Sequence, residues 1–258
     1  TVDLGMRTII FGQAFIVLLC SCAETDPSKK VAPKVLKASS QQISTEKLKD
    51  TALVSQFNLV DVQSLNKDIF VELKYATKDN FMGIILYERL KKAYLQKDVA
   101  ERLSKVQVYL SRLKPGFHLL IYDALRPVSV QQKMWDALDS LPPVERGKFV
   151  SNPKNRSLHN MGAAVDLTIL DQNGVPLDMG AGYDDIRQIA YPSMEKQFVA
   201  EGKLMVVHME NRDLLRNVMK SQGFRQLQTE WWHFNACYRD KAKELYHIIE
   251  GDTSLIKI

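Results

Sequence analysis

The chain is organised around the stretch SLHNMGAAVD at residues 157–166, which offers a histidine and an aspartate on either side of a glycine. A second stretch, EWWHF at residues 230–234, offers a glutamate and another histidine. Two histidines and one carboxylate can hold Zn²⁺ at three corners of a tetrahedron and leave the fourth for water. The two stretches therefore predict one metal site, provided that the fold brings them together.

His159 and Asp166 are seven positions apart, a spacing that would put them on opposite faces of a regular strand. Gly162 and the polar residues before it let the chain turn, so a histidine on a loop and an aspartate on the next strand can converge. Asp166 lies in the apolar run at residues 164–170, where a lone buried carboxylate is unfavourable unless it is paired or metal-bound. For this segment alone, a salt-bridged core aspartate is the alternative interpretation.

Glu230 and His233 are separated by two tryptophans, which would form apolar walls, exclude water and raise the pKa of the glutamate. A carboxylate placed there can accept a proton from a metal-activated water molecule. The spacing of three fits one face of a helix or a strand end with a bulge, and the sequence does not decide between them. The alternative for this stretch alone is an exposed glutamate beside an ordinary core histidine.

Arg126 follows a strongly apolar strand predicted over residues 117–122. The end of a strand is a rigid place from which to direct a guanidinium group. Near a polarised carbonyl, that group could stabilise the oxyanion that forms during hydrolysis. The competing interpretation is a structural bridge to Asp123 or to another surface acid.

Five motifs follow one another along the chain: YATxxNFxG at residues 75–83, DxxRP at 123–127, SxHxxGxAxD at 157–166, MGxxYD at 179–184 and EWWHF at 230–234. In this order they resemble the motifs of the zinc-dependent D-alanyl-D-alanine dipeptidases of peptidase family M15. The resemblance extends from about residue 59 to about residue 240. Leu125 stands where that family usually has an aromatic residue before the arginine, and Tyr183 stands where it has a phenylalanine.

The resemblance implies a compact α+β domain of the kind shared by the zinc D,D-carboxypeptidases and the hedgehog signalling domain. It also implies one Zn²⁺ per chain and a small dipeptide as substrate. It implies that His159, Asp166 and His233 bind the metal and that Glu230 acts as general base and acid. It implies that Arg126 stabilises the transition state. Ser157 and Asp184 fall where the family binds the ammonium end of the substrate.

The hydrophobic pattern mixes helices and strands without a regular βαβ alternation. We therefore expect an α+β fold in which helices flank a central antiparallel sheet. The predicted helices cover residues 87–112, 128–139, 193–201, 209–221 and 239–250, and the predicted strands cover residues 60–62, 69–75, 117–122, 164–170, 224–227 and 231–235.

The 258 residues are 45% hydrophobic and 25% charged, which is ordinary for a globular chain with one large domain. The net charge of +5 is spread among acidic neighbours, which argues against a nucleic-acid partner. Cys20, Cys22 and Cys237 form neither a disulfide framework nor a cysteine-based zinc pattern. No obligate protein partner is evident.

Residues 8–19 form a mostly apolar run after Arg7, too short for a comfortable membrane span but typical of a signal-peptide core. The following LCSC at residues 19–22 resembles a bacterial lipobox, which implies cleavage before Cys22 and lipidation of its thiol. A plain secretory signal or a buried N-terminal helix is the alternative. We expect an exported lipoprotein, anchored on the periplasmic or cell-surface side, with a lipoprotein signal peptide at 1–21, a flexible tether at 22–58 and a zinc dipeptidase domain at 59–258.

The expected activity is hydrolysis of D-Ala-D-Ala or related dipeptides, linked to cell-wall peptide turnover or glycopeptide resistance. One alternative is a D,D- or L,D-carboxypeptidase acting on longer peptidoglycan stem peptides. A small closed pocket would favour the dipeptidase and an open groove the carboxypeptidase. The other alternative is a non-catalytic lipoprotein that binds the cell wall, against which the intact Glu230 and ligand set argue.

Overall fold

The computed structural model describes residues 56–251. The expected signal peptide and most of the expected tether lie outside the described residues. The strands are β1 (Leu59–Asp61), β2 (Phe70–Val71), β3 (Tyr94–Gln96), β4 (His118–Asp123), β5 (Ala164–Leu170), β6 (Arg225–Gln226) and β7 (His233–Asn235). The α-helices are α1 (Val62–Leu65), α2 (Lys97–Leu113), α3 (Val128–Asp136), α4 (Pro143–Arg146), α5 (Glu195–Ala200), α6 (Val206–Lys220) and α7 (Arg239–Leu245). The predicted α+β class is confirmed.

A five-stranded sheet in the order β2-β4-β5-β7-β6 forms the centre of the fold. Its neighbouring strands are antiparallel except for β2 and β4, which run parallel. A separate small sheet pairs β1 with β3. All seven residues of β5 are buried, because this apolar strand is covered on both faces and paired on both edges. The one acidic residue of β5, Asp166, therefore lies at the centre of the domain.

Helix α2 has the predicted amphipathic pattern, with Val99, Leu103, Val106 and Leu110 buried at helical spacing. The prediction that this helix begins near residue 87 is wrong. Residues 94–96 form β3 instead, because their main chain pairs with β1 while apolar side chains such as Leu95 still reach the core. Apolar spacing alone does not separate these two ways of burying the same residues.

The predicted C-terminal helix is also shorter than expected, because α7 ends at Leu245 rather than near residue 250. The residues after it bond to neighbouring main chain instead of continuing the helix. The amide of Ile249 donates to the oxygen of Asn160 at 2.8 Å, and the amide of Val128 donates to the oxygen of Ile249 at 2.9 Å. This segment therefore ties the C-terminal part of the domain to the loop that precedes β5.

A short 3₁₀ turn, Leu158–Met161, delivers His159 to the sheet. It ends at Gly162, which has a φ of +65°, a region that favours glycine. A Cβ at this position would lie 2.9 Å from Cδ2 of Leu59 and 3.2 Å from the amide nitrogen of Gln96. The glycine therefore permits both the turn and its close packing against β1 and β3. Within residues 56–251, no helix combines the length and the apolar character needed to cross a bilayer.

Candidate active site

Three side chains converge beside β5: His159 from the 3₁₀ turn, Asp166 from β5 and His233 from the start of β7. Nε2 of His159 lies 3.2 Å from Oδ1 of Asp166 and 3.1 Å from Nδ1 of His233. Nδ1 of His233 lies 2.9 Å from Oδ1 of Asp166, so the three atoms form a small triangle. In a tetrahedral zinc site with bonds of about 2.0 Å, ligand atoms lie about 3.3 Å apart. The three atoms thus have nearly the spacing of one face of a zinc tetrahedron.

Each histidine has one ring nitrogen that faces the cluster and one outer nitrogen that points away from it. Both outer nitrogens lie within hydrogen-bond distance of an acceptor. Nδ1 of His159 lies 2.6 Å from the main-chain oxygen of Ala124, and Nε2 of His233 lies 3.0 Å from Oδ1 of Asn235. Each outer nitrogen therefore carries a hydrogen and donates it, which turns the inner nitrogen towards the cluster. Two imidazole nitrogens and one carboxylate oxygen directed at a common point are the donor set that Zn²⁺ prefers, so the residues fit this metal.

The charges of the cluster are strongly coupled. Burial raises the pKa of Asp166, but His159 and His233 outweigh burial and hold it below its ordinary value. Burial lowers the pKa of His233, but its hydrogen bond with Asp166 raises it to about 9. Asp166 is therefore ionised at neutral pH. A bound cation replaces the proton that His233 otherwise shares with this carboxylate.

Arg126 lies beside the cluster and is paired with Asp123. Its NH2 atom lies 2.6 Å from Oδ2 of Asp123, and its Nε donates to the same oxygen at 2.8 Å. A register shift between β4 and β5 sets Asp123 directly opposite Asp166, where two buried carboxylates would repel each other. Arg126 therefore forms the ion pair with Asp123 that was one of the two interpretations of its position in the sequence. It also lines the cavity beside Asp166.

Glu230 lies in the turn before β7, with Oε2 at 3.8 Å from Nδ1 of His233. This distance is longer than the three distances among His159, Asp166 and His233. Glu230 therefore lies next to their cluster and outside it. Burial raises the pKa of Glu230, and Asp166 adds to the effect while His233 opposes it. The two tryptophans that follow are buried, as the apolar walls predicted for this stretch. A carboxylate with a raised pKa beside a metal site suits a group that must both take and return a proton.

Ser157 and Asp184 line the same cavity as the cluster. Oγ of Ser157 accepts a hydrogen bond from the amide of His159 at 3.0 Å and so caps the turn that carries this histidine. The carboxylate of Asp184 accepts from the hydroxyl of Tyr75 at 3.0 and 3.1 Å. Burial and the neighbouring Asp166 raise the pKa of Asp184 well above its ordinary value. A cationic group bound beside this carboxylate would stabilise its ionised form.

The cavity that contains these residues has a volume of about 560 Å³. At one part of its lining, Phe81 stacks on Phe149 with ring centroids 6.2 Å apart. At another, the guanidinium of Arg225 lies 3.7 Å from the ring centroid of Tyr238. The cavity is therefore bounded by aromatic side chains as well as by the charged groups of the cluster.

A family model described as D-ala-D-ala dipeptidase matches residues 55–248. The chain belongs to the D-Ala-D-Ala dipeptidase family. A D-alanyl-D-alanine dipeptidase of Escherichia coli is 34% identical over 176 residues, which cover 68% of this chain and 83% of that protein. One from Synechocystis is 30% identical over 168 residues, which cover 55% and 68%. A solved zinc complex of a vancomycin-resistance D,D-pentapeptidase aligns at 13% identity with a TM-score of 0.31, and the alignment covers 65% of this chain and 86% of that chain.

As a member of this dipeptidase family, the protein is a zinc metallopeptidase that hydrolyses D-Ala-D-Ala. The structure brings all seven predicted site residues to one cavity. Together they offer a metal ligand set, a carboxylate free for proton transfer, a guanidinium group and an acidic pocket. This combination suits hydrolysis of a small peptide that carries an ammonium group.

The motifs of this dipeptidase family member did not reveal several partners of the site. Asn235 could have been found, because residues two apart on a strand share a face and His233 is such a neighbour. Ala124 acts through its main-chain oxygen, so its side chain gives no signal. Tyr183, whose hydroxyl donates to Oδ2 of Asp166 at 3.1 Å, was noted only as a departure from the family pattern.

Proposed function

We propose that this dipeptidase uses Glu230 as the group that moves both protons of the reaction. The observation that supports this role is a carboxylate with a raised pKa, 3.8 Å from a ligand nitrogen but outside the ligand cluster. When bound by His159, Asp166 and His233, Zn²⁺ supplies polarisation of the peptide carbonyl and a lowered pKa for water. Glu230 takes a proton from the attacking water and gives it to the leaving amine.

The two charged ends of the substrate require opposite partners. We assign the ammonium end to Asp184 and Ser157, because both line the cavity beside the cluster and a cation bound there would lower the raised pKa of Asp184 and favour its ionised form. Arg126, next to the cluster, faces the same cavity and is placed to stabilise the oxyanion.

Arg225 on β6 is our candidate for the carboxylate end. It pairs directly with Asn235 of β7, and paired residues point to the same face of a sheet, the face that His233 occupies. Within residues 56–251, Arg225 stacks on a tyrosine ring and makes no ion pair with a carboxylate. Arg225→Gln should raise the KM for D-Ala-D-Ala several-fold and leave that for its C-terminal amide unchanged. Equal effects on both substrates would exclude this assignment.

The first experiment is a turnover assay of the zinc-loaded protein with D-Ala-D-Ala, and with L-Ala-L-Ala as the stereochemical control. We expect release of D-alanine that stops when a chelator removes the metal and resumes when Zn²⁺ is restored. Binding of cell-wall peptides without any turnover would instead support the non-catalytic lipoprotein.

A carboxypeptidase activity is the second candidate, and the size of the cavity favours it. A volume of about 560 Å³ falls in the range of about 300–1,000 Å³ typical of sites for drug-sized ligands, whereas D-Ala-D-Ala has only about eleven non-hydrogen atoms. Parallel assays with the dipeptide and with a stem pentapeptide ending in D-Ala-D-Ala distinguish the two. A higher kcat/KM for the pentapeptide would reverse our preference for the dipeptide.

We also propose that the protein acts outside the cytoplasm as a lipoprotein anchored through Cys22. Its support is the lipobox-like LCSC at residues 19–22, followed by a polar segment. An exported dipeptidase meets peptides released from the wall, so cell-wall peptide turnover fits this location better than removal of cytoplasmic D-Ala-D-Ala. Cys22→Ser should abolish acylation and release the protein from the membrane fraction. Unchanged mass and fractionation would contradict the anchor.

A further inference from the structure

The two oxygens of Asp166 have different partners. Oδ1 faces the two histidines of the cluster, while Oδ2 accepts a hydrogen bond from the hydroxyl of Tyr183 at 3.1 Å. The NH2 atom of Arg126 is a more distant neighbour of Oδ2, at 3.6 Å. Because a carboxylate can turn about its Cβ–Cγ bond, the group that holds Oδ2 fixes the plane of the carboxylate and keeps a single oxygen directed at the metal position.

Tyr183 is held in place by other aromatic rings. Its ring centroid lies 5.0 Å from that of Tyr122 and 5.4 Å from that of Trp232, both in tilted or edge-on arrangements. Such contacts restrict the ring without using its hydroxyl group. The hydroxyl is therefore directed at Asp166 by packing that would survive its removal.

The loop that carries Tyr183 is anchored on helix α6. The fully buried Arg212 donates from Nε to the oxygen of Met179 at 2.7 Å and from NH2 to the oxygen of Ile189 at 3.0 Å, on either side of the loop. Gly180, with a φ of +70°, lies so close to His208 that a Cβ there would overlap its ring. The loop is thus fixed at both ends and delivers Tyr183 in one orientation.

We propose that Tyr183 is a positioning residue that holds one oxygen of Asp166, so that the carboxylate keeps a fixed orientation and presents only its other oxygen to the metal. In the motif at residues 179–184, Tyr183 occupies the position at which the family motif has phenylalanine. A phenylalanine ring has no hydroxyl group and cannot donate this hydrogen bond. This chain therefore adds a hydrogen bond to a metal ligand, and such bonds to ligating carboxylates strengthen metal binding. Without this hydrogen bond, the NH2 atom of Arg126, at 3.6 Å, would be the charged neighbour left beside Oδ2. The inference rests on the proposed ligand set.

The test compares Tyr183→Phe with Tyr122→Phe in the purified full-length protein. Both variants lose one hydroxyl from the same aromatic cluster, but only the first loses a bond to Asp166. Competition with a chelator should show zinc binding weakened about 10- to 100-fold in Tyr183→Phe and unchanged in Tyr122→Phe. The absorption spectrum of the Co²⁺-substituted protein should shift in Tyr183→Phe alone, since it reports the geometry around the metal.

Three results decide the outcome. Unchanged zinc affinity and an unchanged cobalt spectrum in Tyr183→Phe would overturn the proposal. Equal losses in Tyr183→Phe and Tyr122→Phe would also overturn it, because ring packing would then be the cause. His233→Ala serves as the third arm: full zinc content in that variant would refute the ligand set itself, whereas its loss of zinc beside an unaffected Tyr183→Phe would refute only the positioning role.

Discussion

Replacing Glu230 with glutamine is the most direct test of the proposed chemistry. Oε2 of Glu230 lies 3.8 Å from Nδ1 of His233, outside the 2.9–3.2 Å edges of the ligand cluster. Glutamine keeps the size and most of the hydrogen bonding of the side chain but removes the basic carboxylate. The variant should therefore retain its zinc. The side chain of Glu230 is only 37% exposed and burial raises its pKa, so a neutral amide of the same size should not lower the free energy of unfolding by more than about 1 kcal/mol.

The rate should change far more than the stability. A positioned acid or base contributes about 10²–10⁴-fold, and Glu230 is assigned both proton transfers. We expect kcat to fall by about 10⁴-fold or more, equivalent to about 5 kcal/mol in the activation barrier. The assay is release of D-alanine under substrate saturation, with zinc content measured by elemental analysis on the same sample.

The matched control is Glu244→Gln on helix α7, an exposed glutamate that pairs only with Lys241 among the described residues. It should leave both zinc content and kcat unchanged. Wild-type turnover in Glu230→Gln would place the base elsewhere and refute the mechanism. Loss of zinc from Glu230→Gln would make Glu230 a ligand, which the 3.8 Å separation argues against.

Three further perturbations test other parts of the site. His233→Ala should remove most of the one Zn²⁺ per chain, as read by elemental analysis, and full occupancy would disprove its role as a ligand. If Arg126 stabilises the oxyanion, Arg126→Ala should lower kcat by about 10²–10³-fold, which corresponds to about 3–4 kcal/mol in the activation barrier. It should also cost about 3–5 kcal/mol of folding stability by removing the guanidinium partner of the buried Asp123, so its thermal midpoint must be measured too. An Arg126→Ala variant of unchanged midpoint would mean that the bridge to Asp123 contributes little. Gly180→Ala combines a left-handed φ, worth about 1–2 kcal/mol, with a collision against α6, worth about 1–3 kcal/mol. Gly202→Ala has a similar φ of +68° but open space around it, so a midpoint that falls equally in both variants would exclude the collision.

The motifs predicted the site better than they predicted the elements that carry it. His159, Asp166 and His233 lie together, as the two motifs predict. The types and order of the donor residues restrict the possible chemistry of a site more than they restrict the helices and strands that carry it. The contact between Tyr75 and Asp184 joins residues far apart in the sequence, and no spacing rule reports such a meeting. It depends on how two loops pack, which is decided by tertiary contacts.

The errors in the predicted helices have a similar origin. Tyr94 and Leu95 have side chains that fit the apolar face of a helix, but the main chain of residues 94–96 pairs with β1 and also bonds to Gly162 and Leu125. Residues 246–250 continue an amphipathic pattern, yet Ile249 bonds to Asn160 and to Val128. In both cases the main chain bonds to residues distant in the sequence instead of forming the hydrogen bonds of a helix. The spacing of apolar residues does not predict such long-range partners.

The order β2-β4-β5-β7-β6 has a consequence for how the protein is made. A chain that emerges N-terminus first presents β4 and β5 long before β7, so one edge of the apolar β5 stays unpaired until residues 233–235 arrive. Unpaired apolar strand edges are templates for aggregation. The same late segment brings His233, so capture of zinc and protection of the strand edge complete together. Premature termination before residue 233 therefore leaves a polypeptide that is both inactive and prone to self-association, a target for quality-control proteases.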